Sequence, residues 1–244
     1  MKNKITKLLN LFLFLLSISL YSQDIELSDK FINQLNEITN QANKNIRFNK
    51  PVTRNCITSI LLEVKKNWDK LTPQAKSLFS VYTARPTLIN EQIGCSTNFC
   101  FHYTLSGADA VPSLDSNSNG FPDYVEQMAG VFENVWSQYQ TRNYSMPPLD
   151  GTAGGSNKYD VYIENLGSGG AGTLYGFVSP ENVIGNNPQS SSLTEVDAMT
   201  SWMGMNNSYS WASPLSVLNA IKVTAAHEFF HAVQFGTTSS NTNF

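Results

Sequence analysis

His227-Glu228-Phe229-Phe230-His231 sets two imidazoles four positions apart, with a carboxylate directly after the first. On a helix, residues at that spacing lie one turn apart on the same face. Two imidazoles so placed can hold one zinc ion, each through a neutral ring nitrogen at about 2.0–2.1 Å. Glu228 then stands beside the first ligand without occupying a coordination position. Zinc lowers the pKa of its bound water towards about 7, and Glu228 is placed to take that proton as a peptide carbonyl is attacked. H-E-x-x-H is the spacing that metal-dependent peptide hydrolysis uses.

The motif sits in an apolar segment, Leu215–Phe235, opened by Ser213-Pro214 and closed by Gly236, which reads as a helix with both ends signalled. Small residues, Ala220 and Thr224, precede His227 on the ligand side, while Leu218, Ile221, Ala225, Phe229 and Ala232 cover the other side. A helix apolar on most faces is buried. Three titratable groups inside it are costly unless something pairs them, and a metal does so. That cost disfavours the alternative of two core or solvated histidines beside a structural glutamate.

A catalytic zinc takes three protein ligands and keeps one position open. The extended form H-E-x-x-H-x-x-G-x-x-H is excluded, because Gln234 and Thr237 stand where glycine and histidine would be needed. No acidic residue follows Glu228. The expectation is therefore a chain cut at Phe244 in the middle of the loop that begins at Thr237, with a third ligand supplied from beyond. His102, Glu195 and Asp197 are the upstream alternatives. His102, between Phe101 and Tyr103, reads as an ordinary strand histidine, because an isolated histidine rarely binds a metal without a partner.

A second constellation is Asp115-Ser-Asn117-Ser-Asn119-Gly120-Phe121-Pro122-Asp123-Tyr-Val-Glu126, which fits D-x-[DN]-x-[DN]-G-x5-E. Asp115, Asn117, Asn119, the Phe121 carbonyl, Asp123 and Glu126 then surround a calcium ion in a structural role. Two neutral asparagines lower the affinity to about 10⁻⁴–10⁻³ M. Pro122 departs from the ordinary loop, and an Asn-Gly turn leading into a helix is the competing reading.

The elements that must position these groups begin after a leader. Lys2, Lys4 and Lys7 precede the apolar run Leu8–Leu20, and Leu20-Tyr21-Ser22 ends on a small residue. This is the order of a secretory signal peptide over residues 1–22, and the run is too short to span a bilayer. The expectation is an exported, extracellular or periplasmic protein. Residues 27–71 have helical spacing, with Phe31, Leu35 and Ile38 and then Ile57, Leu61, Val64, Trp68 and Leu71. Thr72-Pro73 opens a short helix to Tyr82. Residues 23–90 thus form a helical N-terminal region or pro-segment, and residues 91–244 the catalytic domain. Strands are expected at Phe99–Thr104, Tyr159–Ile163, Thr173–Val178 and Ala198–Met205, and a helix at Tyr124–Tyr139 with Trp136 on its apolar face. Strand Tyr159–Ile163 is a possible edge for a peptide substrate. Strands interrupted by helices give an α+β fold.

Net charge is −3 and charged residues are 14% of the chain, so no basic patch is available to track nucleic acid. Three cysteines in an oxidising compartment, Cys56, Cys95 and Cys100, allow one disulfide and one spare thiol, with the pairing open. The absence of a C-x2-C pair argues against a cysteine-bound metal.

Val223–Gly236, with Ala-His-Glu-Phe-Phe-His-Ala-Val-Gln-Phe inside it, resembles the active helix of zincin metallopeptidases, and within them secreted bacterial metalloproteases of gluzincin type. Phe101–Thr104 and Asp115–Glu126 share the resemblance. It implies zinc ligation by His227 and His231, a general-base role for Glu228, a zincin-like catalytic domain and a third ligand from a downstream glutamate, which is absent here. The methionine-glutamate-asparagine signature of related aminopeptidases is missing, which implies endopeptidase action on protein or peptide substrates. The rival reading is a non-catalytic exported adhesion module, stabilised by calcium and carrying an incomplete metal site.

Overall fold

A computed structural model describes residues 22–39, 56–170, 172–190 and 194–237. The charged head and apolar run of the expected signal peptide lie outside these residues, as does most of the Thr237–Phe244 tail. The helices are α1 (22–39), α2 (Thr58–Lys66), α3 (Pro73–Thr83), α4 (Asp123–Thr141) and α5 (Val217–Phe235), with a 3-10 turn at Trp68–Lys70. The strands are β1 (Gln92–Cys95), β2 (Phe99–Tyr103), β3 (Tyr159–Glu164), β4 (Gly176–Gly185) and β5 (Ala198–Asn206). The fold is α+β.

The strands form one mixed sheet in the order β1-β2-β3-β5-β4. The β2/β3 and β3/β5 pairs are parallel, and the outer pairs β1/β2 and β4/β5 are antiparallel. β2, β3 and β5 are buried almost throughout, because helices cover both faces. Alternation of side chains across each strand then assigns the two cores. Phe99, Phe101, Val161, Ile163, Met203 and Met205 face α4 and α5. Tyr162, Phe177 and Trp202 face the N-terminal helices through Phe31, Leu61, Val64 and Phe79. Trp136 lies in the first core, and Trp68 packs against the second.

This topology corrects one expectation. Tyr159–Ile163 is not an edge, because β3 is hydrogen-bonded on both sides, to β2 and β5. The outer strands of the sheet are β1 and β4. The disulfide joins Cys95 to Cys100, which face each other across the β1/β2 pair, and leaves Cys56 as the free thiol.

Behind the sheet, Arg85 is gripped by three carboxylates. Its guanidinium donates to Asp150, to Asp160 and to both oxygens of Glu181 at 2.7 and 2.8 Å. Asp160 is fully buried, so Arg85 supplies the charge that makes its burial tolerable. Desolvation pushes Asp150 up to about 6 despite the opposing pull of Arg85.

Candidate metal centre

α5 is positioned by its caps and its apolar face. The Ser216 side chain accepts from Asn219 N at 3.3 Å, and the helix ends at Gly236. Phe229 packs among Phe99, Trp136 and Tyr159, with ring centroids 5.3–5.6 Å away. Tyr139 of α4 donates its hydroxyl to the Ala226 carbonyl at 2.7 Å. These contacts fix the rotation of α5 and turn His227 and His231 to the side opposite Phe229, with Glu228 between. Ala220, Thr224, Ile221, Ala225 and Ala232 are buried as the apolar pattern requires, whereas Leu218 is exposed and does not join the packed face.

The two imidazoles come together. Their Nε2 atoms are 3.3 Å apart. Two nitrogens that are each about 2.0–2.1 Å from a tetrahedral zinc lie about 3.3–3.4 Å from each other, so the pair fits that ion. His231 Nδ1 is 2.9 Å from Gln234 Oε1. A carbonyl oxygen only accepts, so Nδ1 carries the proton and the Nε2 lone pair faces His227. Gln234, which excluded the longer motif, thus orients the His231 ring. Burial and the nearby His227 pull His231 down to about 4, which keeps it neutral.

Glu228 is buried beside the pair, with Oε1 3.9 Å from His227 Nε2. Its other oxygen, Oε2, accepts the Thr58 hydroxyl at 3.1 Å. Desolvation, partly offset by that hydrogen bond, pushes the carboxyl up to about 8.

The fourth member comes from the other end of the chain. Cys56 Sγ is 3.3 Å from His231 Nε2. Together Cys56, His227, Glu228 and His231 offer ligand atoms that all lie within 4.8 Å of one another. Burial, with Glu228 close by, pushes the thiol up to about 11. Sequence reasoning left the pairing of Cys56, Cys95 and Cys100 open and argued against a cysteine-bound metal. The available signal was the odd cysteine left by the closely spaced 95/100 pair in a chain short of one metal ligand.

The upstream alternatives are elsewhere. His102 projects to the face opposite α5, stacked on Tyr162 at 4.2 Å, with Nε2 3.1 Å from Asp160 and Nδ1 3.2 Å from Glu91. Glu195 accepts from Asn187 N at 3.1 Å, and Asn187 in turn donates to the Gly236 carbonyl at 2.9 Å, tying down the end of α5. Neither residue, nor Asp197, belongs to the cluster.

In the Asp115–Glu126 loop, Asp115 accepts from the backbone of Asn119 and Gly120 at 3.2 and 2.9 Å. Asn117 and Asn119 direct their amide nitrogens at Glu126, while Asp123 turns to Ser116. Gly120 has φ 90°, which the turn requires. Pro122 stands at the entry of α4, and the Phe121 ring packs at Gly94.

Protein-family models, curated proteins and solved structures provide no match to this chain. The functional reading therefore rests on the geometry.

Proposed function

We propose that this protein is an exported zinc-dependent endopeptidase with a zincin-like catalytic domain, in which His227 and His231 hold the metal and Glu228 is the general base. The observation that carries the reading is the 3.3 Å separation of the two Nε2 atoms on one face of α5, with a buried carboxylate beside them. A zinc ion bound there supplies Lewis acidity and makes water acidic enough to be a nucleophile near neutral pH. Glu228 needs only one oxygen for proton transfer. Thr58 holds Oε2, and Oε1, on the His227 side, is the oxygen placed to accept a proton and later return it to the leaving amine. Gln234 keeps the His231 ring oriented throughout.

Calcium in the Asp115–Glu126 loop is part of the proposal as a structural ion. Its support is the gathering of Asp115, Asn117, Asn119 and Glu126 around one turn. Binding requires both asparagine amides to turn their oxygens inward. Export is proposed from the basic-then-apolar N-terminus alone. Among the described residues no helix is long and apolar enough to cross a membrane.

The test is casein cleavage by the purified protein. The expected result is cleavage that disappears on chelation and in Glu228→Ala. A zinc-free protein after reconstitution attempts, or cleavage indifferent to Glu228→Ala, would overturn the reading.

A further inference from the structure

Two positions on the N-terminal side, Cys56 and Thr58, reach into the candidate metal centre. Cys56 Sγ lies 3.3 Å from His231 Nε2. Thr58 donates its hydroxyl to Glu228 Oε2 at 3.1 Å and accepts the backbone N–H of Val178 at 3.0 Å. Val178 belongs to β4, an outer strand of the sheet. Thr58 is fully buried, and Ile57 between the two is locked into the core with α1 and α3.

We propose that Cys56 is a third metal ligand, delivered to the His227–His231 pair by the segment entering α2, and that residues 56–58 thereby hold the enzyme in a latent form. The proposal rests on the metal-hydrolase reading of the same site. A sulfur at about 2.3 Å and a nitrogen at about 2.0–2.1 Å from a tetrahedral zinc are about 3.6 Å apart, and the Cys56–His231 separation is close to that. Glutamate is a non-ligand in this arrangement, so beside the two histidines the thiolate takes a coordination position that the attacking water would need. The same segment occupies what a substrate would need. Thr58 takes the N–H that the outer strand would offer to an extended peptide. Because the segment is tethered, it competes with substrate at an effective concentration of about the mM range.

The experiment adds cobalt(II) to the metal-free full-length protein. A thiolate-to-cobalt charge-transfer band in the near ultraviolet is expected in the wild type and not in Cys56→Ala, while the visible cobalt bands persist in both. In the native protein, where Cys56 is the one free thiol, zinc is expected to slow its alkylation by on the order of tenfold or more. That measurement decides the ligand claim even if the variant fails to fold. Casein cleavage by zinc-loaded Cys56→Ala is expected to exceed that of the wild type by on the order of tenfold or more. Histidine-dependent cobalt binding without the thiolate band, or alkylation unaffected by zinc, overturns Cys56 as a ligand and leaves the hydrolase reading standing. A band accompanied by lower cleavage in Cys56→Ala overturns latency. Cobalt binding unchanged in a His227→Ala/His231→Ala variant overturns the underlying metal site itself.

Discussion

Thr58 and Glu228, 170 positions apart in sequence, share a buried hydrogen bond of 3.1 Å. The Thr58 hydroxyl also accepts the Val178 N–H, so one side chain joins α2, α5 and β4. Thr58→Val keeps the shape and removes both bonds. A buried donor or acceptor left unsatisfied costs about 1–3 kcal/mol. Urea unfolding is expected to show a loss of that size in Thr58→Val, with Thr58→Ser close to wild type.

Arg85 offers a sharper stability test. Removing it leaves Asp160, Asp150 and Glu181 facing one another without their cation. Breaking a buried ion pair from one side costs about 3–5 kcal/mol. Arg85→Met is expected to lower stability by about that amount in chemical denaturation. Arg85→Lys should rescue only part of it, because an ammonium cannot reproduce the fork that spans three carboxylates.

Glu164 gives the pH dependence. Burial, and secondarily Asp109, push its carboxyl from 4.5 to about 7, and Tyr82 is the other titratable group within its influence. The folded state then keeps a proton that the unfolded state has already lost, so this residue favours folding below pH 4.5 and its contribution falls as pH rises to about 7. Glu164→Gln is expected to be near neutral in stability at pH 4 and more stable than wild type at pH 8, by up to about 3 kcal/mol. Thermal unfolding of both proteins across that range checks the sign. A constant difference between them would refute it.

Ligand linkage follows from the site. Anything that binds only the folded state raises its stability, by about 2.7 kcal/mol at a hundredfold excess over Kd. Zinc is expected to raise the melting temperature of the wild type and not of His227→Ala/His231→Ala. Millimolar calcium is expected to raise it further, and Asp115→Ala to abolish only the calcium increment.

The sequence carried much of the architecture where periodicity was strong. α4, α5, β2, β3 and β5 lie where helical or strand spacing puts them, because these segments bury whole faces. β1 was not legible. It is four residues long, includes Gly94, and only that glycine is buried, so there is no apolar alternation to read. β4 was expected at Thr173–Val178 and runs instead over Gly176–Gly185. Pro180 and Asn182 look like loop residues, yet the strand continues past them through irregular pairing with β5. In the candidate metal centre, His227, Glu228 and His231 were legible because helical spacing alone brings them together. Cys56 and Thr58 were not, since only the tertiary packing of α2 beside β4 and α5 brings them to the same place.

The measurement that bears most directly on the central claim pairs zinc content with casein cleavage in four proteins: wild type, Cys56→Ala, and each with Glu228→Ala added. In the proposed mechanism Glu228 is a base and not a ligand. Each protein is therefore expected to hold about one zinc ion per chain, the occupancy of a single site. Cleavage is expected wherever Glu228 is present and to vanish in both backgrounds without it. Equal cleavage with and without Glu228, or zinc lost together with the carboxylate, would contradict the account.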